Sequence, residues 1–469
     1  MLTRRNFLGG ALAFAAMRSW RGLADGRRPL LRFGAISDLH VRAKEGPFGI
    51  EHLAKALRWY REMDVDGVVI AGDIADNGLV AELQIVADAW NEVFPGGTGR
   101  DGRKVERLFI YGNHDIEGAK YNPNLKAAAQ EIISTDRAAA WEKVFGEPYE
   151  PIWEKKINGY TFIGAHWVDW GGVPEIEKYF EGRAADLGGE RPFFYIQHPH
   201  PSNTCHGPWA WGHDEGWATR ALSRFPNAVA LSGHSHHSLT DEKAIWQGAF
   251  TSIGTASMRY VAPMFGRENA GPSQLADLRQ MPEVDKFSEK QGLLFSVYGE
   301  RMVVERRDFV NDGALGAPWV VPLGTTERPY DFAVRRAAGR PPQFAPDAKV
   351  SIAGPLDGKD RKGRATRQIV VTFPSALQGE GLTRAFDYEV VAELAECDVV
   401  RVAKAKRVHS PGFFRKPECD AAEVKCVFSL DEIASRRVSY LDSRLRFIVR
   451  AADSFGNMGE PIFSEQIWL

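Results

Sequence analysis

The sequence predicts an α/β domain joined to a C-terminal all-β sandwich. Two observations predict the first part and one predicts the second. From Leu30 to about Tyr260, apolar strand-like runs alternate with stretches of helical period, which is the signature of βαβ units. Several of those runs are continuously apolar rather than alternating, which implies burial on both faces. Beyond residue 347 the pattern changes to short strands separated by turns, as in a β-sandwich of about 120 residues.

The first element is a targeting segment. Thr3-Arg4-Arg5-Asn6-Phe7-Leu8 is a twin-arginine pattern, followed by an apolar stretch from Phe7 to Met17 and small residues at Gly22-Leu23-Ala24. Residues 1–24 therefore read as a signal peptide that addresses the chain to the twin-arginine export machinery, with a periplasmic or extracellular destination. The apolar stretch is well short of the ~20 residues a spanning helix needs, so no span is expected after cleavage. An uncleaved buried helix or a single anchor is the alternative.

The α/β domain, residues 30–310, follows. Leu31 to Ile36 reads as a strand, and His52 to Met63 as a helix with Leu53, Ala56, Leu57 and Tyr60 on one face. Gly67 to Ile70 is a buried strand, followed by a helix over about Leu79 to Val93. Leu108 to Tyr111, Tyr160 to Ala165, Phe193 to Gln197 and Ala228 to Leu231 are further strands. Between His198 and Gly233 lies a loop-rich insert with His206, Trp209, Trp211 and His213, read as ordinary loop packing or a substrate-facing wall. Residues 265–290 read as loop or short helix, and Gly292 to Tyr298 with Met302 to Arg307 as a hairpin. Residues 311–346 form a linker, Pro- and Arg-rich from Arg335 onward. Residues 347–469 carry the sandwich strands. There, Phe447 to Asn457 resembles the penultimate strand and turn of fibronectin type III-like modules.

Composition narrows the function. The chain has 469 residues, 44% of them hydrophobic, and a net charge of −2. No basic excess argues for nucleic acid, so a phosphate-bearing substrate must be held by local cations. The cysteines are Cys205, Cys397, Cys419 and Cys426. Export would permit one bridge among the last three, and buried or free thiols are the alternative. No Cys-x-x-Cys spacing exists, which argues against a zinc–thiolate site.

Five fragments carry the chemistry. They are Asp38-Leu39-His40, Gly72-Asp73, Gly112-Asn113-His114-Asp115, His198 and Gly233-His234-Ser235-His236, each ending a strand-like run. Ligands in α/β sheets gather beyond the carboxyl ends of the strands. Asp38 and His40 stand two apart, which in extended backbone turns both side chains to one side; His234 and His236 repeat that spacing. A carboxylate such as Asp73, after a glycine and a buried strand, can bridge two ions. Imidazole, carboxylate and amide donors suit Fe, Mn, Zn or Ni and do not rank them. Taken singly, most of these fragments are ordinary turns; their order and strand-end placement give them weight. His198 competes with His200 in Gln197-His198-Pro199-His200, and the residues alone leave both open.

Together the fragments resemble the calcineurin-like metallophosphoesterase superfamily, over roughly Leu30 to Ser257. The resemblance implies a two-sheet core flanked by helices and two divalent metal ions. It assigns Asp38, His40, Asp73 and His236 to the first ion, and Asp73, Asn113, His198 and His234 to the second. His114 is then the phosphate stabiliser or general acid, and Asp115 orients it. A metal lowers the pKa of bound water from about 15.7 to 7, or ~12 kcal/mol at 1.36 per unit. A side-chain base alone contributes about 10²–10⁴-fold, so the ions should dominate. The implied activity is hydrolysis of a small phosphate ester, a phosphodiester or a broad range of phosphomonoesters, by a hydroxide bridging the ions. Ile74 to Asp76 supplies no tyrosine of the purple acid phosphatase kind, which favours a diesterase or broad-specificity enzyme. The alternative function is a non-catalytic metal-binding or cell-envelope binding protein on the same scaffold.

Overall fold

The structure, a computed structural model, describes residues 28–468 except 123–124, 126–129, 170–172, 174, 209, 262–288, 360–362, 378–381, 397–398, 411–422 and 434–442. The signal segment, Trp209, most of the stretch 265–290, Cys397 and Cys419 lie outside the described residues.

The α/β domain contains strands β1 (Leu31–Ile36), β2 (Gly67–Ala71), β3 (Glu106–Ile110), β4 (Ile152–Ile157), β5 (Tyr160–Ala165), β6 (Phe193–Ile196), β7 (Ala228–Ser232), β8 (Ile245–Gln247), β9 (Thr251–Gly254), β10 (Gln291–Val297), β11 (Arg301–Asp308), β12 (Gly313–Ala314) and β13 (Trp319–Pro322). One sheet has the order β12-β11-β10-β1-β2-β3, with β13 also on β11; the other has the order β4-β5-β6-β7-β9-β8. In the first sheet β1, β2 and β3 run parallel, and β10 joins β1 antiparallel. In the second, β5, β6, β7 and β9 run parallel.

The two sheets face each other across a core that includes Phe33, Val69, Leu108, Phe162, Phe194 and Phe295. Phe33 is its centre. It stacks on Phe295 with ring centroids 4.5 Å apart and meets Phe162 and Phe194 edge-on at 5.2 and 4.8 Å. The outer face of the first sheet packs on helices α1 (Glu51–Glu62), α2 (Val80–Val93), α3 (Asn113–Tyr121) and α4 (Arg137–Phe145). Leu53, Ala56, Leu57 and Tyr60 are the buried stripe of α1, the stripe its i, i+3, i+4, i+7 spacing dictates. The outer face of the second sheet packs on α5 (Ile176–Glu181) and α6 (Trp217–Leu222). Both sheets are therefore covered on both faces, as the continuous apolar strands require.

Part of the stretch read as a linker is folded onto this domain. β12 and β13 extend the first sheet, and the backbone amide of Gln247 donates to the Tyr330 carbonyl at 3.2 Å. Helix α7 (Phe332–Ala338) follows, and its Arg335 pairs with Glu242. These segments are short or polar, so composition resembled a tether while the packing came from a few anchors.

The C-terminal region holds a three-stranded sheet of β14 (Ser351–Lys359), β15 (Ala365–Pro374) and, beyond β16 (Asp387–Glu396) and β17 (Val399–His409), β18 (Glu423–Ser429). The facing sheet has the order β17-β16-β19-β20, with β19 (Ser443–Ala452), β20 (Ile462–Phe463) and β21 (Ile467–Trp468) on β19. Ile369, Val371 and Phe373 alternate inward from β15 to meet Val390, Leu394, Phe447 and Val449, the period-2 pattern of a half-buried strand. β14 gave no sequence signal because it is almost wholly exposed. Among the described residues no helix is long and apolar enough to cross a membrane.

Phe33→Ala should destabilise the α/β domain by about 3–5 kcal/mol, read as a lower denaturant midpoint at unchanged m-value. A loss below about 1 kcal/mol would mean the inter-sheet core does not depend on this ring.

Candidate metal centre

All five fragments converge where the carboxyl ends of the parallel strands meet. Asp38 and His40 follow β1, Asp73 follows β2, Asn113 and His114 follow β3, His198 follows β6, and His234 and His236 follow β7. The strands' pairing continues into the loops: Asp38 N donates to Gly72 O and His40 N to Asp73 O, both at 3.0 Å, and Gly233 N donates to His198 O at 2.9 Å. The ligand loops are thus fixed by backbone hydrogen bonds before any side chain acts.

The local backbone differs from the extended form expected from the two-apart spacing. Asp38 (φ 52°), His40 (φ 44°), Asp73 (φ 53°), His234 (φ 64°) and His236 (φ 53°) all lie in the left-handed region. That conformation is uncommon for non-glycine residues and clusters at functional sites. The preceding glycines make room for it. A Cβ on Gly233 would stand 2.5 Å from Asp38 Oδ2, and one on Gly112 would collide with Asp73 Oδ1.

Two groups of donors meet at Asp73, beside a third made of His40, Asp76 and His114. Asp38, His40, Asp73 and His236 place ligand atoms within 4.8 Å of one another, and so do Asp73, His198 and His234. A single oxygen, Asp73 Oδ2, faces both: it lies 3.5 Å from His40 Nε2 and 3.2 Å from His198 Nε2. Asn113 Oδ1 stands 3.1 Å from His198 Nε2, and His236 Nε2 stands 3.0 Å from Asp38 Oδ1. His198 rather than His200 joins the second group. His200 is buried farther along the chain, its ring nitrogens without a hydrogen-bond partner.

The chemistry of this donor set fits a divalent cation. Three histidines use Nδ1 on an acceptor: His198 on Ala71 O at 2.7 Å, His236 on Tyr260 O at 3.0 Å, and His40 on Asp76 Oδ1 at 3.1 Å. Such a bond fixes the tautomer and leaves Nε2 as the ligand atom. The Nε2 atoms of His40 and His236 then point at each other across 3.2 Å, which suits two lone pairs sharing a cation.

Electrostatics agree. Burial alone would raise the Asp73 carboxyl, but His198, His40 and His114 outweigh it and hold it well below the usual range. Burial would lower His198, yet Asp73 and Asp38 push it up to about 9. Burial, reinforced by His198, takes His234 down to about 3.

His114 lines the cleft and stands outside the two groups that share Asp73; with His40 and Asp76 it makes the third. Its amide donates to Asp73 Oδ1 at 2.8 Å, and its ring Nδ1 meets the Asp76 backbone carbonyl at 2.9 Å. The expectation that Asp115 orients this ring is corrected. The Asp115 carboxylate accepts from the amides of Ala75 (2.6 Å), Gly112 (2.7 Å) and Ile74 (3.2 Å), so it ties the second fragment's loop to the third. Burial and Asp73 push its carboxyl up to about 8, against the pull of those amides. Asp76 is the residue that positions the histidines. Its carboxylate holds His40 and accepts from Arg42 Nε at 2.7 Å, while its carbonyl holds His114. Sequence reading passed over it, although it stands only three residues after Asp73.

Above the donors lies a cleft of about 430 Å³. Tyr121, Trp167, Trp211 and Tyr260 wall it, Glu117 is the acid among the wall residues, and no lysine or arginine lines it among the described residues. Trp211 is 55% exposed and lies over His234 with centroids 4.7 Å apart. His206 and His213, considered for the same wall, do not line it: His206 is buried against His237, and His213 meets the Asp214 carbonyl.

Residues 31–238 match the sequence family described as Calcineurin-like phosphoesterase. Among solved structures, the chain is similar to a dimetal phosphatase from Danio rerio at 13% identity, with 63% of this chain and 99% of that one covered and a TM-score of 0.36. It is also similar to a purple acid phosphatase from yellow lupin seeds at 10% identity, covering 63% and 54%, TM-score 0.40. A third likeness is to Vps29 complexed with zinc from Entamoeba histolytica, at 10% identity, 62% and 99% coverage and TM-score 0.27. No curated protein matches the sequence.

Metal loading should release protons. His198 keeps its proton up to about pH 9 without metal, and a ligand imidazole must be neutral. Affinity for Mn²⁺ should therefore climb as pH rises from 6 toward 9. Titration calorimetry in buffers of different ionisation enthalpy would read this release; a buffer-independent heat would contradict the protonated His198.

Proposed function

Because residues 31–238 form a calcineurin-like phosphoesterase domain, and the chain is accordingly a metal-dependent phosphoester hydrolase, we propose that it is an exported dinuclear enzyme that prefers phosphodiesters. One observation supports two ions above all others: Asp73 Oδ2 stands between His40 and His198, inside both donor groups. Asp38, His40, Asp73 and His236 would hold one ion, and Asp73, Asn113, His198 and His234 the other. When bound, the ions supply an activated water and neutralise charge on the phosphoryl oxygens.

The remaining work falls to the chain's own residues. Asp115 and the backbone bonds to Gly72 and Asp73 hold the ligand loops in register. The Asp76 carbonyl keeps the His114 proton at Nδ1, which leaves Nε2 for the cleft. There a doubly protonated His114 would stabilise charge on the phosphoryl group or deliver its Nε2 proton to the leaving alkoxide. The preference for diesters rests on the walls. The cleft offers the aromatic faces of Tyr121, Trp167, Trp211 and Tyr260. A diester carries one charge and two organic groups, one of which can lie against Trp211.

Export rests on the twin-arginine pattern at Arg4-Arg5, and the C-terminal region, two facing sheets with an apolar core, is read as a fibronectin type III-like module that packs on the enzyme. Changing Arg4 and Arg5 to Lys should retain the protein in the cytoplasm, as fractionation would show; unchanged export would remove the signal assignment.

With Mn²⁺ or Zn²⁺ loaded, bis(p-nitrophenyl) phosphate should be turned over with higher kcat/KM than p-nitrophenyl phosphate. Hydrolysis of neither would defeat the enzymatic reading. Asp73→Asn should lower both ion occupancy and rate; full occupancy at full rate would rule out a shared carboxylate. His114→Ala should keep the ions and slow turnover about 10²–10⁴-fold, whereas loss of metal would make it a ligand.

A further inference from the structure

The amide of Asn113 has two chemically different ends, and only its oxygen can serve a cation. Helix α3 contains the means of choosing. Asn113, Glu117 and Tyr121 stand four residues apart in turn on one face of this helix. Asn113 Nδ2 donates to Tyr121 Oη at 3.3 Å, and Tyr121 Oη donates to Glu117 Oε2 at 2.7 Å. The other carboxylate oxygen, Oε1, accepts from Trp167 Nε1 at 3.2 Å. Trp167 comes from the loop after β5, where its amide is tied to the Tyr111 carbonyl at 3.0 Å. Glu117 is buried, 1% exposed.

The order of donors in this chain is forced. A carboxylate only accepts, so Tyr121 must give its hydroxyl proton to Glu117. The hydroxyl then has only a lone pair for Asn113, which must answer with its NH₂. Asn113 Oδ1 is left facing the other way, 3.1 Å from His198 Nε2, where the second ion is placed. We infer that Trp167, Glu117 and Tyr121 are positioning residues that hold the Asn113 amide oxygen toward the second metal site. This inference rests on the two-ion reading above. Their hydrogen bonds run to Asn113, which serves the second ion, so the effect should fall on that ion.

The test reads metal binding rather than rate. Chelator-stripped full-length protein is titrated with Mn²⁺ by calorimetry and by electron paramagnetic resonance, and the two affinities are separated. Tyr121→Phe removes the hydroxyl and should weaken the second ion about 10–100-fold with the first unchanged. Glu117→Gln is nearly isosteric but lets residue 117 donate to Tyr121. The hydroxyl can then donate to Asn113 Oδ1 and turn the amide over, so this variant should weaken the second ion at least as much. A role in packing alone would leave Glu117→Gln close to wild type. Two ions of unchanged affinity in both variants would overturn this inference and leave the two-ion reading standing, as would equal weakening of both ions. A wild-type count below two would overturn both.

Discussion

One buried carboxylate organises this molecule. Asp73 stands 1% exposed between two sets of imidazoles, and a charge taken out of water must be compensated where it sits. The compensation comes from everything around it: His198 and His40 on one oxygen, the His114 amide on the other. Removing it would leave Asp38 and Asp76 as the remaining carboxylates beside the clustered histidines. Keeping it obliges β1, β2 and β3 of one sheet and β6 and β7 of the other to end at a common point. The layered fold is the frame that meets this constraint, and the inter-sheet core around Phe33 sets the distance between the two halves of the site.

The same constraint explains the backbone. Residues held at positive φ cost about 1–3 kcal/mol each, and five of the proposed ligands adopt it. Asp115 supports this arrangement by joining the second fragment's loop to the third, and Asp76 supports it by holding His40 through its side chain and His114 through its backbone. Rigidity here comes from acidic groups that bind backbone amides and the histidines around them.

The fold was legible in the sequence because its strands are buried on both faces. Gly67 to Ile70 and Ala228 to Leu231 read as continuous apolar runs, and the helix read at His52 to Met63 showed its stripe. Exposed β14 and the partly buried Ile152–Ile157 carry too few apolar residues to register. At the site, the candidate ligand residues were legible because aspartate and histidine at strand ends are distinctive in order. Their support was less so. Asp76 resembles any turn acid, and the ladder of Asn113, Glu117 and Tyr121 resembles any helix face. Asp115 drew attention as the neighbour of His114, but on a helix adjacent residues point apart, and its carboxylate serves the backbone instead. Trp167 reaches Glu117 from fifty residues away, a contact no local pattern reveals.

The sequence family match ends at residue 238, but the pairing of β1 does not. On one side β1 meets β2; on the other it meets β10, residues 291–297, which lies well past that end. β11 and β13 continue the sheet to residue 322. A fragment cut at the end of the match would leave β1 with a bare row of amides and carbonyls, on the very strand that presents Asp38 and His40. The segment that matches the family is thus shorter than the sheet it helps to build, which continues through residue 322, well past His236.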